Sequence, residues 1–185
     1  MLNKEINFDN FKDEVSPGIS NKIRYAFWLI TSNIFFLTNI PYHNKFKVLI
    51  LKLFGCKIGS KVVVKPWVKI KFPWMLTLGN AAWLGESVWI DNISEVIIGN
   101  NVCISQDALL ITGNHNYSSQ FFDLITKPII IEDGVWICAK SIVVGGVTIH
   151  SHAVLAINSL ASKDLKSYSI YSGNPAVYIK NRTII

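Results

Sequence analysis

Cysteine is scarce in this chain: Cys56, Cys103 and Cys138 are the whole supply, an odd number with no Cys-x-x-Cys among them. That pattern argues against a disulfide framework or a zinc site, and it fits a reducing compartment. Each thiol reads as a small buried apolar residue. Charge is also sparse, at 16% of residues beside a 50% hydrophobic content, which is far from the composition of disordered chains. The net charge of +6 is carried by scattered lysines that read as a solvated surface. No basic run is dense enough to argue for nucleic acid, and no zinc-finger or RNA-binding signature is present. A mild basic excess instead suits anionic substrates, a phosphate-bearing cofactor or an acidic membrane surface.

Nothing at the start of the chain reads as a secretory leader, because Asn3 to Asp13 carries acidic residues and no apolar core. A long unbroken hydrophobic run is lacking too. The uncharged stretch Tyr25 to Asn44 is interrupted by Thr31, Ser32, Asn33, Thr38 and Asn39 and is ended by Pro41, whereas a spanning helix wants about 20 mostly apolar residues. Three arrangements are open for it: a helix packed on the body of the protein, an amphipathic helix in a membrane interface beside Lys45, Lys47 and Lys52, or a span.

What the sequence has in quantity is a repeat of six. Aliphatic residues recur in blocks at Ile58, Val64 and Ile70, at Leu78, Leu84 and Ile90, and at Ile98, Ile104 and Leu110. After a gap they resume at Ile131, Ile137, Val143, Ile149 and Leu155. Four places after most of them stands a small or β-branched residue: Val62, Val68, Ala82, Val88, Val102, Ala108, Val135, Ser141, Val147 or Ala153. A helix needs three-and-four spacing and a strand alternates by two. A strict six implies short strands joined by tight corners, three sides to a coil of about 18 residues, stacked into a solenoid. The aliphatic residue points inward, and the small one lets the corner close. Glycines at 59, 79, 85 and 99 are expected to relieve the corner backbone. The spacing does not give the hand of the coil, and the usual crossover preference is right-handed.

The register fails between Leu110 and Ile131, where Asn116, Phe122 and Pro128 occupy the places due to aliphatic residues. Thr112 to Pro128 is polar and turn-rich, then aromatic, as expected of a loop extruded from one face of a stack. It carries His115. An imidazole in such a loop suits a general base, because histidine side chains titrate near neutral pH.

Several segments together resemble the hexapeptide-repeat O-acetyltransferases, and most of all their colanic acid and capsule biosynthesis type, with the maltose and galactoside acetyltransferases as cousins. They include Trp89-Ile90-Asp91-Asn92, Ile98-Gly99-Asn100-Asn101-Val102, Thr112-Gly113-Asn114-His115, Asp133-Gly134-Val135-Trp136-Ile137, Gly146-Val147-Thr148-Ile149 and Gly173-Asn174-Pro175-Ala176. The resemblance implies an all-β solenoid of left-handed parallel β-helix type over residues 56–165. A helical segment over 1–55 precedes it, the catalytic loop 112–128 leaves it, and an extension over 166–185 follows. It implies an acetyl-CoA-dependent enzyme in which His115 takes the proton from a sugar hydroxyl that attacks the thioester directly. Trp136, Ala139, Gly145, Ser162, Lys163, Asn174, Pro175 and Lys180 match positions that line the coenzyme groove, and a backbone N–H near Ala139 would face the oxyanion. Trp89, Asp91, Asn92, Asn114 and Tyr117 fall near the acceptor pocket. The implied assembly is a homotrimer with active sites between subunits. It would need no metal and work in the cytoplasm on a capsular or exopolysaccharide precursor, with peripheral contact to the inner membrane as a further option. Three rivals stand beside this. One is a zinc enzyme using three of His43, His115, His150 and His152, although the last two sit in a corner and read as solvent-facing. Another is a non-catalytic solenoid that docks a partner. The third is an N-acetyltransferase of an amino sugar.

Overall fold

The computed structural model describes Glu5, Ile6, Phe8 and residues 18–185, so most of Asn3 to Asp13, and with it the start of the helical segment expected over 1–55, lies outside the described residues. Two helices come first, α1 (Gly18–Phe35) and α2 (Asn44–Leu53). A first coil follows as β1 (Lys57–Ile58), β2 (Val63–Val64) and β3 (Lys69–Ile70), and a second as β4 (Leu76–Leu78), β5 (Trp83–Leu84) and β6 (Trp89–Asp91). The third coil is β7 (Val96–Ile98), β8 (Cys103–Ile104) and β9 (Leu109–Ile111). The chain then leaves the stack as a hairpin of β10 (Gly113–His115) and β11 (Leu124–Thr126). It returns for a fourth coil, β12 (Ile129–Ile131), β13 (Trp136–Ile137) and β14 (Ile142–Val144), and a fifth, β15 (Thr148–Ile149), β16 (Val154–Leu155) and β17 (Leu160–Ala161). Finally β18 (Ser169–Ser172) starts a sixth coil and folds back on β19 (Val177–Asn181).

Corresponding strands of successive coils stack in parallel, giving three faces: β1-β4-β7-β12-β15, then β2-β5-β8-β13-β16-β18, to which β19 adds antiparallel, then β3-β6-β9-β14-β17. The period of six predicts this arrangement, and burial agrees with it. Thirteen of the fourteen aliphatic positions are buried, Ile58 in the end coil being half-buried, and all ten small corner residues are buried as well. Two-residue strands supply little pairing each, so the stack depends on bonds between coils, such as Trp83 N–H to Val102 O at 2.8 Å. Side chains add a ladder up one corner. The Ser60 N–H donates to Asn80 Oδ1, the Asn80 N–H to Asn100 Oδ1 and the Asn100 N–H to Asp133 Oδ1, at 2.9, 2.8 and 2.6 Å. The Asn100 backbone N–H, with its side-chain amide, holds the Asp133 carboxyl below its ordinary range.

Two readings of the corners need correction. Gly59, Gly79, Gly85 and Gly99 do not relieve left-handed backbone, although Gly134 at a later corner does, with φ 69°. Positive φ falls instead on residues such as Lys61, Ala81, Asn101, Asp107 and Lys140, at 54–59°, each at a cost of roughly 1–2 kcal/mol. Gly79 is required for another reason: a Cβ there would lie 2.5 Å from the backbone C and O of Gly99 in the next coil. The thiols also differ from expectation. Cys56 is buried, and burial pushes it up to about 12, but Cys103 and Cys138 are only half-buried on the outside of the second face.

The open edge of a β-stack invites pairing with another chain, and here the helices cover it. The Trp28 indole N–H of α1 donates to Ile70 O at 2.7 Å, while Asn44 of α2 bridges Val62 O and the Val64 N–H at 2.7 and 2.8 Å. Trp28 also packs against Phe36 and Phe54, and Phe35 against Tyr42 and Phe46, so α1 and α2 run antiparallel. One face of α1 is therefore packed on the body. Among the described residues no helix is long and apolar enough to cross a membrane.

Lys47 corrects the reading of all lysines as solvated: it is buried in α2. Burial, then the nearby Lys65, lowers its ammonium below the ordinary 10.5. The unfolded chain holds that proton more tightly, so stability should rise as pH climbs from the lowered value to 10.5 and then level off. Lys47→Met should remove this rise relative to the native chain. At neutral pH it should add about 1 kcal/mol, seen as about 2–4 °C in Tm. Thermal melts of both proteins across that range check it, and a variant with a lower Tm would refute it.

Candidate active site

Insertions collect at one corner, where the third face turns back to the first. The first two coils place Phe72 and Asn92 there, and the third opens into the His115 hairpin. Register stacks the ends of the third-face strands in a column: Ile90 and Ile70 pair, so Asp91 follows above Lys71, then Ile111 pairs with Asp91, and Val144 with Ile111. Val143 pairs with Ala161, which puts Ser162 and Lys163 at the top of the same edge. Residues more than 70 positions apart in sequence thus meet along one edge of one sheet.

The hairpin is closed at its base by the Lys127 N–H donating to Thr112 O at 3.0 Å. Beyond that, Asn114 pairs with Ile125 and His115 with Leu124. The Asn114 side chain accepts from the His115 backbone N–H at 2.8 Å. His115 Nδ1 lies 2.9 Å from Phe122 O. A carbonyl only accepts, so Nδ1 carries the ring proton and Nε2 carries the basic lone pair. The Phe122 ring lies flat on the imidazole, with centroids 4.2 Å apart and planes 11° apart. Phe8 meets Phe122 edge-on, with centroids 5.5 Å apart. A histidine oriented by a carbonyl through Nδ1 and stacked in place has the arrangement of a general base acting through Nε2.

Two cavities flank this column. One, of about 350 Å³, lies at the hairpin base and is lined by Thr112, Gly113, Asn114, Lys127 and Gly145 among others. Gly145 is needed there, since a Cβ would stand 2.7 Å from Thr112 O and 2.8 Å from Lys127 O. The other, of about 320 Å³, lies lower, between α1 and the third face. Its walls include Tyr25, Ser32, Asn33, Lys69, Trp89 and Asp91. Lys71 Nζ holds Asp91 at 3.0 Å, and Lys69 Nζ sits 5.5 Å from the Trp89 ring centroid.

The predicted site residues divide accordingly. Trp89 and Asp91 share the lower cavity, and Asn114 and Gly145 share the upper one. Tyr117 is fully outside at the loop tip. Asn92 is completely buried: it donates to Phe72 O and accepts from the Phe72 N–H at 2.7 and 3.0 Å, so its amide holds the corner together. Asn174 and Pro175, joined by a cis bond, lie next to β17, where Leu160 bonds both Gly173 O and the Ala176 N–H. Trp136 and Lys180 belong to the second face, with the Trp136 indole N–H on Ser105 Oγ at 3.0 Å, and Ala139 stands at the corner between second and third faces. One chain therefore does not gather all the expected coenzyme residues on one side. Phe122, Lys127, Lys69, Lys71 and the wall from α1 are parts of the site that the repeat does not signal. His150 is held by Glu132 at 3.0 Å and His152 by Asp133 O at 3.0 Å, and among the described residues no group of three His, Cys, Asp or Glu is placed to hold a metal ion.

A coiled stack of this kind with a histidine hairpin at one corner defines a hexapeptide-repeat acyltransferase architecture. No family model matches the chain. WcaF of Escherichia coli (strain K12), named as an acetyltransferase of colanic acid biosynthesis, is 37% identical over 162 residues, covering 88% of this chain and 89% of that protein. The galactoside O-acetyltransferase of the same strain is 27% identical over 140 residues, covering 74% and 68%. Among solved structures, a hexapeptide-repeat acetyltransferase of Vibrio cholerae complexed with acetyl coenzyme A superposes with a TM-score of 0.80 at 21% identity, covering 91% of this chain and 92% of that one. A galactoside acetyltransferase in complex with coenzyme A gives 0.80 at 21%, covering 94% and 86%. The chain belongs to the hexapeptide-repeat acetyltransferases, in the branch of the colanic acid biosynthesis type, and its fold is their left-handed parallel β-helix.

Proposed function

We propose that this protein transfers the acetyl group of acetyl-CoA to a hydroxyl of a sugar in a capsular or exopolysaccharide precursor, in the cytoplasm, with His115 as general base and no acetyl-enzyme intermediate. The observation that carries the reading is the His115 ring, fixed through Nδ1 on Phe122 O. The acceptor hydroxyl gives its proton to Nε2 as its oxygen bonds the thioester carbonyl carbon. The tetrahedral intermediate then collapses, the C–S bond breaks, and the imidazolium returns the proton to the leaving thiolate. Such a base contributes about 10²–10⁴-fold.

The separation of Trp136, Ala139 and Lys180 from Gly145, Ser162 and Lys163 favours a groove closed by two copies, each lending one side. In that assembly, a homotrimer with cyclic symmetry, the Ala139 backbone N–H of one subunit faces the oxyanion formed at the next. Lys163 and Lys180 meet coenzyme phosphates, and the acceptor ring lies against Trp89 and Tyr117, with Asn114 and Asp91 in reach of its hydroxyls.

Thiol release from acetyl-CoA, measured over a panel of neutral, acidic and amino sugars, tests this. Acceptor-dependent release with hydroxyl acceptors supports it. Release with amino sugars alone would replace it by N-acetylation, and absence of both release and coenzyme binding would replace it by a docking role. Gly145→Ala supplies a second check. The added methyl must push Thr112 or Lys127 outward and move the hairpin, so kcat should fall about 10–100-fold with the circular dichroism unchanged. Native kcat in this variant would separate the hairpin base from catalysis.

A further inference from the structure

Charge is divided along the chain in a way the overall +6 conceals. From Val15 to Gly85 there is no Asp or Glu at all, while ten of the 18 Lys and Arg residues fall there; all 12 acidic residues lie elsewhere. The helices at the base of the stack belong to this segment. Arg24 is turned inward onto Phe54 O and Lys47 is buried, but Lys22, Lys45, Lys52, Lys57 and Lys61 are exposed.

Within that basic field, α1 carries Ile23, Phe27, Ile30 and Ile34 at spacings of four, three and four, which puts them on one stripe. They are 63, 63, 62 and 49% exposed. On α2, Phe46, Leu49 and Leu53 form a second exposed stripe. Contact between Phe35, next to Ile34, and Phe46 joins the two helices at this point. Seven large apolar side chains grouped on one hairpin are more than the scattered hydrophobes of an ordinary surface. An opposite face of α1, with Tyr25, Leu29, Ser32 and Asn33, lines the lower cavity.

We infer that the α1–α2 hairpin docks on an anionic lipid bilayer. An apolar stripe with lysines beside it, on helices that themselves carry no acidic residue, is the pattern of a helix lying in the interface plane, where the side chains enter the acyl boundary and each cation near the surface adds about 1 kcal/mol. A second copy of the chain is a poorer occupant, since two such basic patches would repel face to face. Docking turns one side of α1 to the lipid while its other side walls the cavity holding Trp89 and Asp91, so a lipid-borne sugar would reach that cavity without leaving the membrane. That last placement rests on the proposed acetyl transfer; the docking does not.

Cosedimentation of the full chain, without substrate, with phosphatidylcholine vesicles containing or lacking phosphatidylglycerol tests the docking. Expected is binding that needs phosphatidylglycerol, weakens with salt, and falls at least about 10-fold in both Phe27→Ser/Ile30→Ser and Lys45→Glu/Lys52→Glu, with melting curves unchanged. A native chain left in the supernatant at low salt would overturn it. So would stripe variants that bind vesicles as the native chain does while changing the oligomeric mass, which would make the patch a contact between copies.

Discussion

His115→Ala should lower kcat for acceptor-dependent thiol release at least about 100-fold, equivalent to about 2.7 kcal/mol of transition-state stabilisation, while leaving the KM for acetyl-CoA nearly unchanged. The asymmetry follows from position. The coenzyme residues of the third face are held by the coils themselves, and His115 stands at the outer end of a hairpin whose strands pair independently of the stack. His115→Asn separates two roles that alanine removes together. An asparagine amide can still donate to Phe122 O, so the hairpin should keep its shape, yet it has no basic nitrogen, and the loss should match that of alanine. Phe122→Ala keeps the carbonyl and removes only the stacked ring, so its loss should be the smaller one. Recovery of activity in His115→Asn would show that His115 shapes the loop without accepting a proton.

The stack could be read from the sequence because inward positions answer to one physical demand. A two-residue strand has one side chain in the prism, and only an aliphatic residue fills it, so the demand repeats every six residues and survives in the letters. The hairpin was readable as the place where that demand lapses. What surrounds it was not. The bond from His115 to Phe122 depends on a backbone carbonyl, which no side-chain pattern encodes. Asn92 looked like an acceptor contact because asparagine beside aspartate at a corner is chemically ambiguous, and only its burial against Phe72 assigns it to the corner. Gly79 was found for the wrong reason: φ and close approach leave the same letter, and its 2.5 Å approach to Gly99 decides between them. Lys71 and Asp91 lie 20 apart, a distance that means nothing until coils are stacked.

That stacking makes one substitution far more damaging than its twin. Leu110→Ala should cost about 2–5 kcal/mol and lower Tm by about 5–15 °C. Leu110 has no exposed surface, sits in β9, and pairs in register with Ile90 below and Val143 above. Neither coil can collapse into the void, because each is held to its own neighbours by the same ladder. Ile58→Ala removes comparable bulk from the end coil, where the side chain is half-buried. It should cost about 1 kcal/mol or less. In a solenoid, stability is a sum of coil terms and nearest-neighbour terms, so the internal position loses two interfaces and the end position loses one. The third coil also feeds directly into the hairpin, so Leu110→Ala should reduce thiol release even well below its Tm, whereas Ile58→Ala should not. Paired thermal melts and activity assays decide it. Equal destabilisation at both positions would mean that the prism behaves as one undivided core.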